Sequence, residues 1–175
     1  MSREGTLPVT DPGVELWCDL LCSDCAAILD DIDLLQRRVP LRLRHFPLVA
    51  HTWAVPAAQV AEEARAQGVL WPVVQAILAA NGEIHSPEDL VLTAQHGGAS
   101  TTAVRRALAD GRHAGTVARD YRHGRALGIP GTPTVVVKGP GGTVMLDGGR
   151  TQVGLRVAAE ALLETFTEQM PTDAH

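Results

Sequence analysis

The amino-acid sequence predicts an α/β protein with a mixed four-stranded sheet and an inserted all-helical subdomain. Two strand-like segments lie near the N-terminus, at residues 14–18 and 41–46, and a helical pattern separates them. Two more strand-like segments, at 134–138 and 143–146, follow each other closely near the C-terminus. The long stretch 51–128 between these pairs is rich in alanine and contains no convincing strand. We therefore expect one sheet whose sequence is interrupted by a block of helices.

Length and composition limit the possible classes of protein. A chain of 175 residues corresponds to about one domain. Its 45% hydrophobic and 20% charged residues are ordinary for a folded globular protein. A net charge of −5 argues against a protein that binds nucleic acid. The sequence has no apolar run of the ~18 residues needed to span a membrane, and its first residues do not resemble a secretory signal. We therefore expect a cytoplasmic protein.

The order of the predicted elements defines the domain organisation. The first two strands are joined by a helix at 26–39, so they should be parallel neighbours, with Ser23 and Asp24 in the position of helix-capping residues. The last two strands form a hairpin with its turn at 138–142, and a terminal helix is predicted at 153–167. This connectivity is that of the thioredoxin fold. The predicted parts are a first segment at 13–50, a helical insertion at 51–128 and a second segment at 129–168.

The helical insertion is predicted to contain four or five helices. Glycine and asparagine interrupt the helical pattern near four positions, which are Gly68, Asn81-Gly82, Gly97-Gly98 and Gly111. Ser86, followed by Pro87 and two acidic residues, is typical of a helix start, and Ser100 can cap the next helix.

The most informative feature is a cluster of three cysteines, Cys18, Cys22 and Cys25. Cys22 and Cys25 stand three residues apart where the first strand gives way to a helix. The positive end of a helix stabilises a thiolate and can lower its pKa into the neutral range. We expect Cys22 at the exposed lip to attack a disulfide and Cys25, one turn further in, to resolve the mixed disulfide. Cys18 is interpreted as a buried small apolar residue, with a third redox thiol as the alternative.

A second segment completes the predicted site. Residues 128–133 form a loop that ends in Gly131-Thr132-Pro133, directly before the valine-rich strand. Together with other parts of the chain, this loop gives the sequence a resemblance to the DsbA-like thiol–disulfide oxidoreductases of the thioredoxin superfamily. The other matching parts are Asp19, the two cysteines, the segment 44–48, His51, the segment 57–68 and Trp71. The resemblance implies a nucleophilic Cys22, a redox-active Cys22–Cys25 disulfide and a cis Pro133. It also implies that the loop binds the extended backbone of a protein or small-molecule disulfide substrate, with no cofactor and no metal.

The chain also departs from the pattern of these relatives. Ser23 and Asp24 stand between the cysteines where relatives usually carry Pro and an aromatic residue or His. Asp24 opposes the helix dipole, so we predict a reduction potential nearer to about −270 mV than to about −120 mV. Relatives often have an acidic residue on the first strand at the position of Leu16. Here Glu15 lies one place away and should point to the other face.

Three alternative functions fit parts of the pattern. The spacing Cys-x3-Cys-x2-Cys also occurs in proteins that hold a [4Fe–4S] cluster. Thiolates of Cys22 and Cys25 could instead bind zinc or Cu(I). The seven histidines are scattered and are interpreted as surface or capping residues, with a position near the site as the alternative for His51. A binding module could use the proline loop alone. A cluster of arginines is interpreted as a solvated edge rather than a partner surface, comprising Arg37, Arg38, Arg42 and Arg44.

Overall fold

The structure, a computed structural model, describes residues 13–38, 40–139 and 142–147. Its four strands are β1 (Gly13–Cys18), β2 (Leu41–His45), β3 (Thr134–Gly139) and β4 (Gly142–Asp147). Its helices are α1 (Ser23–Ala27), α2 (Leu29–Arg38), α3 (Ala54–Ala66), α4 (Leu70–Ala79), α5 (Pro87–His96), α6 (Thr101–Asp110) and α7 (Ala114–Leu127). The terminal helix predicted at 153–167 lies outside the described residues.

The sheet has the predicted mixed architecture, with strand order β2-β1-β3-β4. Strands β1 and β2 are parallel, as the helical connection between them requires, and Leu16 pairs with Leu43. Strand β3 is antiparallel to both β1 and β4. The predicted thioredoxin fold with a helical insertion is therefore confirmed.

The central strand β1 is buried on both of its faces. Val14, Leu16 and Cys18 belong to the large apolar core that also contains Cys25. Trp17 belongs to a second cluster on the opposite face, beneath α7. Because side chains alternate along a strand, this pattern separates a cysteine face from a Trp17 face of the sheet.

The helical insertion follows the predicted breaks. Five helices, α3 to α7, lie between β2 and β3, and each interruption falls at a glycine or asparagine named from the sequence. Ser86 Oγ accepts a hydrogen bond from the Asp89 amide at 3.2 Å, and Ser100 Oγ accepts one from the Ala103 amide at 3.4 Å. Gly111 ends α6 in a left-handed conformation, with φ of 61°, which glycine adopts without a steric penalty.

The helix predicted at 26–39 differs in its start and its continuity. Helix α1 begins at Ser23, and Cys22 is its N-cap, without a side-chain capping bond. Ser23 and Asp24 are already helical, so the prediction that they cap the helix was wrong. The helix is also interrupted at Ile28, whose amide bonds to the Cys25 carbonyl at 3.4 Å, three residues back instead of four. The first helical segment therefore has only five residues.

The predicted solvated edge of arginines was wrong for Arg44. Its guanidinium lies 2.8 Å from Glu15 Oε1 and 3.1 Å from Asp120 Oδ1, and both carboxylates are buried. Lys138 Nζ lies 2.9 Å from Glu15 Oε2. Burial acts to raise the pKa of Glu15, but Lys138 and Arg44 outweigh it, so the pKa is lowered. Alternation along the strands places Glu15 and Arg44 together on the Trp17 face of the sheet, as predicted for Glu15. This face is buried, so each charge on it needs a partner of opposite sign.

Candidate active site

The three cysteines lie together at the junction of β1 and α1. Cys18 ends β1, Cys22 precedes α1 and Cys25 lies within α1. All three are free thiols, and the Cys22 amide donates to the Asp19 carbonyl at 3.1 Å. Cys25 is fully buried, whereas Cys22 is 6% exposed. Cys22 is therefore less exposed than expected from the sequence, but it is the most exposed of the three cysteines.

The loop that contains Pro133 lies against Cys22. The Cys22 thiol donates to the Thr132 carbonyl, with 3.6 Å between Sγ and O, although 110 residues separate them in sequence. The Thr132–Pro133 peptide bond is cis, and Pro133 is buried. Thr134 Oγ1 donates to the Gly131 carbonyl at 2.8 Å and so fixes the start of the loop. The structure thus brings the loop named from the sequence to the first cysteine of the pair.

Both cysteines favour the protonated thiol. A hydrogen bond with Cys25, followed by burial, raises the pKa of Cys22 above its ordinary value. Burial, followed by a hydrogen bond with Cys18, raises the pKa of Cys25. A pKa in the neutral range, which was expected from the helix end, is therefore wrong for this dithiol. The hydrogen bond with Cys25 and the burial of both thiols explain the difference, and a helix of five residues with Asp24 in its first turn adds little stabilisation of a thiolate.

Asp19 connects the cysteine loop to the segment after β2. Its buried carboxylate accepts from the Leu21 amide at 2.8 Å, from the Leu48 amide at 2.7 Å and from His51 Nδ1 at 2.7 Å. Its backbone also hydrogen-bonds to Cys25. Asp19 therefore fixes both the cysteine loop and the loop that carries His51, and His51 reaches the site through it. Sequence analysis noted both residues but not their link, which spans 32 positions.

A buried histidine lies behind the cysteines. His45 is fully buried, and its Nε2 lies 2.7 Å from Glu62 Oε1. It is the strand neighbour of Cys18 in the parallel pairing of β1 and β2. The interpretation of the histidines as surface or capping residues was therefore wrong for His45. The alternation of the segment 41–46 contained the signal, because it places His45 on the same face as the buried Leu43.

An apolar groove of about 460 Å³ borders the loop that Asp19 holds. Leu48 and His51 form one wall, and Val117 and Tyr121 of α7 form the other. Val49, beside it, is 96% exposed. An exposed apolar surface of this kind is typical of a binding site for another apolar surface.

Two properties complete the description of the site. Among the residues that the structure describes, no helix is long and apolar enough to cross a membrane. Across residues 13–38, 40–139 and 142–147, no group of three or more His, Cys, Asp or Glu side chains is arranged to share a metal ion.

The fold and the site define a DsbA-like protein. The family model described as "DSBA-like thioredoxin domain" matches residues 50–158, which is more than half of the chain. The chain belongs to this family.

Solved structures share the fold at low sequence identity. The chain is similar to the thiol–disulfide exchange protein α-DsbA2 from Wolbachia pipientis, with a TM-score of 0.71, 18% identity and coverage of 90% of this chain and 84% of that one. It is similar to the disulfide oxidoreductase DsbA from Proteus mirabilis, with a TM-score of 0.70, 14% identity and coverage of 94% and 92%. The cytosolic disulfide reductase DsbM from Pseudomonas aeruginosa gives a TM-score of 0.68, 16% identity and coverage of 90% and 99%.

Curated relatives match part of the chain. The Na(+)/H(+) antiporter NhaA 3 from Salinispora tropica is 37% identical over 97 residues, which are 55% of this chain and 15% of that protein. The Na(+)/H(+) antiporter NhaA 1 from Salinispora arenicola matches with the same identity and coverage. The chain thus corresponds to a small part of the length of these relatives.

Proposed function

We propose that the chain is a thiol–disulfide oxidoreductase that exchanges electrons between its Cys22–Cys25 pair and substrate disulfides. The observation that carries the proposal is the contact of Cys22 with both Cys25 and the Thr132 carbonyl. This arrangement joins a dithiol to a loop with backbone groups beside it. Membership of the DsbA-like family supports the same activity.

The proposed reaction has two steps. The Cys22 thiolate attacks one sulfur of a substrate disulfide, forming a mixed disulfide while the first substrate thiolate leaves and takes up a proton. The Cys25 thiolate then attacks the Cys22 sulfur, which forms the Cys22–Cys25 disulfide and releases the second substrate thiol. The substrate gains two electrons and the protein loses two. The reverse sequence oxidises a substrate dithiol.

The roles of the two cysteines follow from their positions. Cys22 retains some exposure, so an external sulfur can approach it, whereas Cys25 is fully enclosed. Cys25 is held against Cys22, so it acts at a high effective concentration once the mixed disulfide has formed.

We propose that the substrate is an extended polypeptide segment or a small disulfide. The backbone of Gly131 and Thr132 is suited to pair with an extended chain beside Cys22. The apolar groove between Leu48 and Tyr121 can accept apolar side chains of a protein substrate. We also propose the cytoplasm as its compartment, because thiols with raised pKa values give a low reduction potential, which suits a reductant in a reducing compartment.

Trapping of the mixed disulfide tests the proposal. Reduced Cys25→Ser protein, mixed with oxidised insulin and then alkylated, should accumulate an adduct that mass mapping places on Cys22. Cys22→Ser should form none. Cys18→Ser serves as the matched control, because it removes an equally buried thiol but retains Cys22 and Cys25, so it should resolve the mixed disulfide and accumulate no adduct. An adduct on Cys18, or none in the Cys25→Ser protein, would refute the proposal.

A further inference from the structure

Resolution of the mixed disulfide requires a proton acceptor for Cys25. Its thiol is fully buried, and burial is the main factor that raises its pKa. Water has no direct access to it. Leu16, which shares this core on β1, has no group that could accept the proton. The proton must therefore leave through neighbouring side chains.

A line of exchangeable groups begins at Cys25. The Cys18 thiol is its side-chain hydrogen-bond partner. Cys18 pairs with His45 across β1 and β2, and paired residues on adjacent parallel strands project from the same face about 5 Å apart. The buried His45 Nδ1 has no hydrogen-bond partner within the described part of the chain. The strand register thus places an imidazole with one unpartnered nitrogen beside Cys18, without a hydrogen bond between the two side chains in this structure.

The other ring nitrogen of His45, Nε2, lies against a carboxylate. His45 Nε2 lies 2.7 Å from Glu62 Oε1, and Arg65 also donates to this carboxylate, at 3.0 Å. Burial acts to raise the pKa of Glu62, but His45 and Arg65 outweigh it and lower the pKa to about 2. Glu62 is therefore a carboxylate at neutral pH, where it stabilises an imidazolium.

The remaining groups around His45 have other partners. Asp120 of α7 accepts the His45 backbone amide at 3.2 Å and forms an ion pair with Arg44. The side chain of Arg65 is 39% exposed, whereas that of Glu62 is 10% exposed. The line of groups therefore leads from the enclosed Cys25 to the protein surface at α3.

We propose that Cys18, His45 and Glu62 form the route by which Cys25 loses its proton when it resolves the mixed disulfide. Once the Cys18 side chain rotates to within hydrogen-bond distance of His45 Nδ1, it transfers its proton to that nitrogen and takes the proton of Cys25. The Cys25 thiolate attacks Cys22, and the imidazolium, stabilised by Glu62, later releases the proton to solvent. One proton leaves Cys25 and one reaches solvent; Cys18 ends as a thiol, and His45 ends as a neutral imidazole whose remaining proton is on Nδ1 until the ring exchanges it with solvent. Cys18 is a proton carrier in this scheme, with no change in its oxidation state.

A two-phase exchange measures each step separately. Reduced protein is mixed rapidly with dithiobis(nitrobenzoate), whose released thiolate is coloured. The first release reports attack by Cys22, and the second reports resolution by Cys25. Because the inference depends on the proposed function, absence of the first phase in the wild type would refute that function. The later phase alone tests the proton route.

The route predicts distinct results for four variants. His45→Gln should slow the second phase at pH 7 by about 10- to 100-fold and make it proportional to hydroxide, with the first phase unchanged. Cys18→Ala should do the same. Cys18→Ser should restore the rate to within about threefold, because a hydroxyl can pass on a proton. His96→Gln, at an exposed site on α5, should behave as the wild type.

The outcomes that overturn the route are equally specific. A second phase within about twofold of the wild type from pH 6 to 9, in both His45→Gln and Cys18→Ala, would mean that these residues only stabilise the fold. A Cys18→Ser variant as slow as Cys18→Ala would show that a hydroxyl does not restore the step and would overturn proton transfer through this position. If His45→Gln does not fold, the two Cys18 variants decide the question.

Discussion

The response of the reduction potential to pH follows directly from the state of the two thiols. Hydrogen bonding and burial raise the pKa of Cys22, and burial raises that of Cys25, so both retain their protons through the neutral range. Reduction of the Cys22–Cys25 disulfide then takes up two protons with two electrons. A protein with a stabilised thiolate would take up only one proton above the pKa of that thiol.

The expected magnitude can be calculated from this proton count. For a two-electron couple, a tenfold change in the equilibrium constant corresponds to about 30 mV. Uptake of two protons therefore lowers the potential by about 59 mV for each pH unit, whereas uptake of one lowers it by about 30 mV. Removing the charge of Asp24 from the first turn changes a thiolate by roughly 0.3–1 kcal/mol, so Asp24→Asn should raise the potential by no more than about 20 mV at pH 7.

Equilibration with glutathione at each pH from 6 to 9, using glutathione's own known pH dependence, measures this slope. A straight line near 59 mV per unit is expected. An inflection to about 30 mV per unit below pH 8 would show a stabilised Cys22 thiolate and refute the reasoning. The Asp24→Asn protein provides the matched control, because it retains both thiols.

Two further predictions concern the framework that holds the site. His45 and Arg65 lower the pKa of Glu62 from 4.5 to about 2. The ionised carboxylate should therefore contribute on the order of 2–3 kcal/mol to the free energy of unfolding above pH 4.5, and this contribution should be lost as the pH falls towards 2. In urea unfolding, the stability of Glu62→Gln should depend less on pH over this range than that of the wild type. Gly124→Ala should cost about 1–3 kcal/mol, since its Cβ would lie 2.6 Å from the Trp17 ring, whereas Gly115→Ala on the same helix meets nothing within 4 Å and should not destabilise it.

The elements of the fold could be predicted because their signals are local. The breaks at Gly68 and Gly111 and the caps at Ser86 and Ser100 depend on residues within a few positions of each helix end. The mixed sheet follows from the lengths of the connections, because a helix must join parallel neighbours and a tight turn must join antiparallel ones.

The environment of the site depends on distant contacts and could not be predicted in the same way. Cys22 donates to the Thr132 carbonyl, 110 positions away, and its raised pKa depends on Cys25 and on burial, which outweigh the lowering effect of the Thr132 contact. Arg44 looked like a surface residue because Asp120, its second carboxylate partner, is 76 positions further along. Sequence patterns locate reactive residues, but the charge and burial around them arise from tertiary packing.

Mass mapping of the disulfide formed in a glutathione redox buffer tests the central claim most directly. We predict a single two-electron transition that links Cys22 to Cys25, with a potential nearer to about −270 mV than to about −120 mV. A potential above about −160 mV would contradict the raised thiol pKa values. A disulfide that includes Cys18, or no intramolecular disulfide at any buffer ratio, would contradict the two-cysteine exchange site itself.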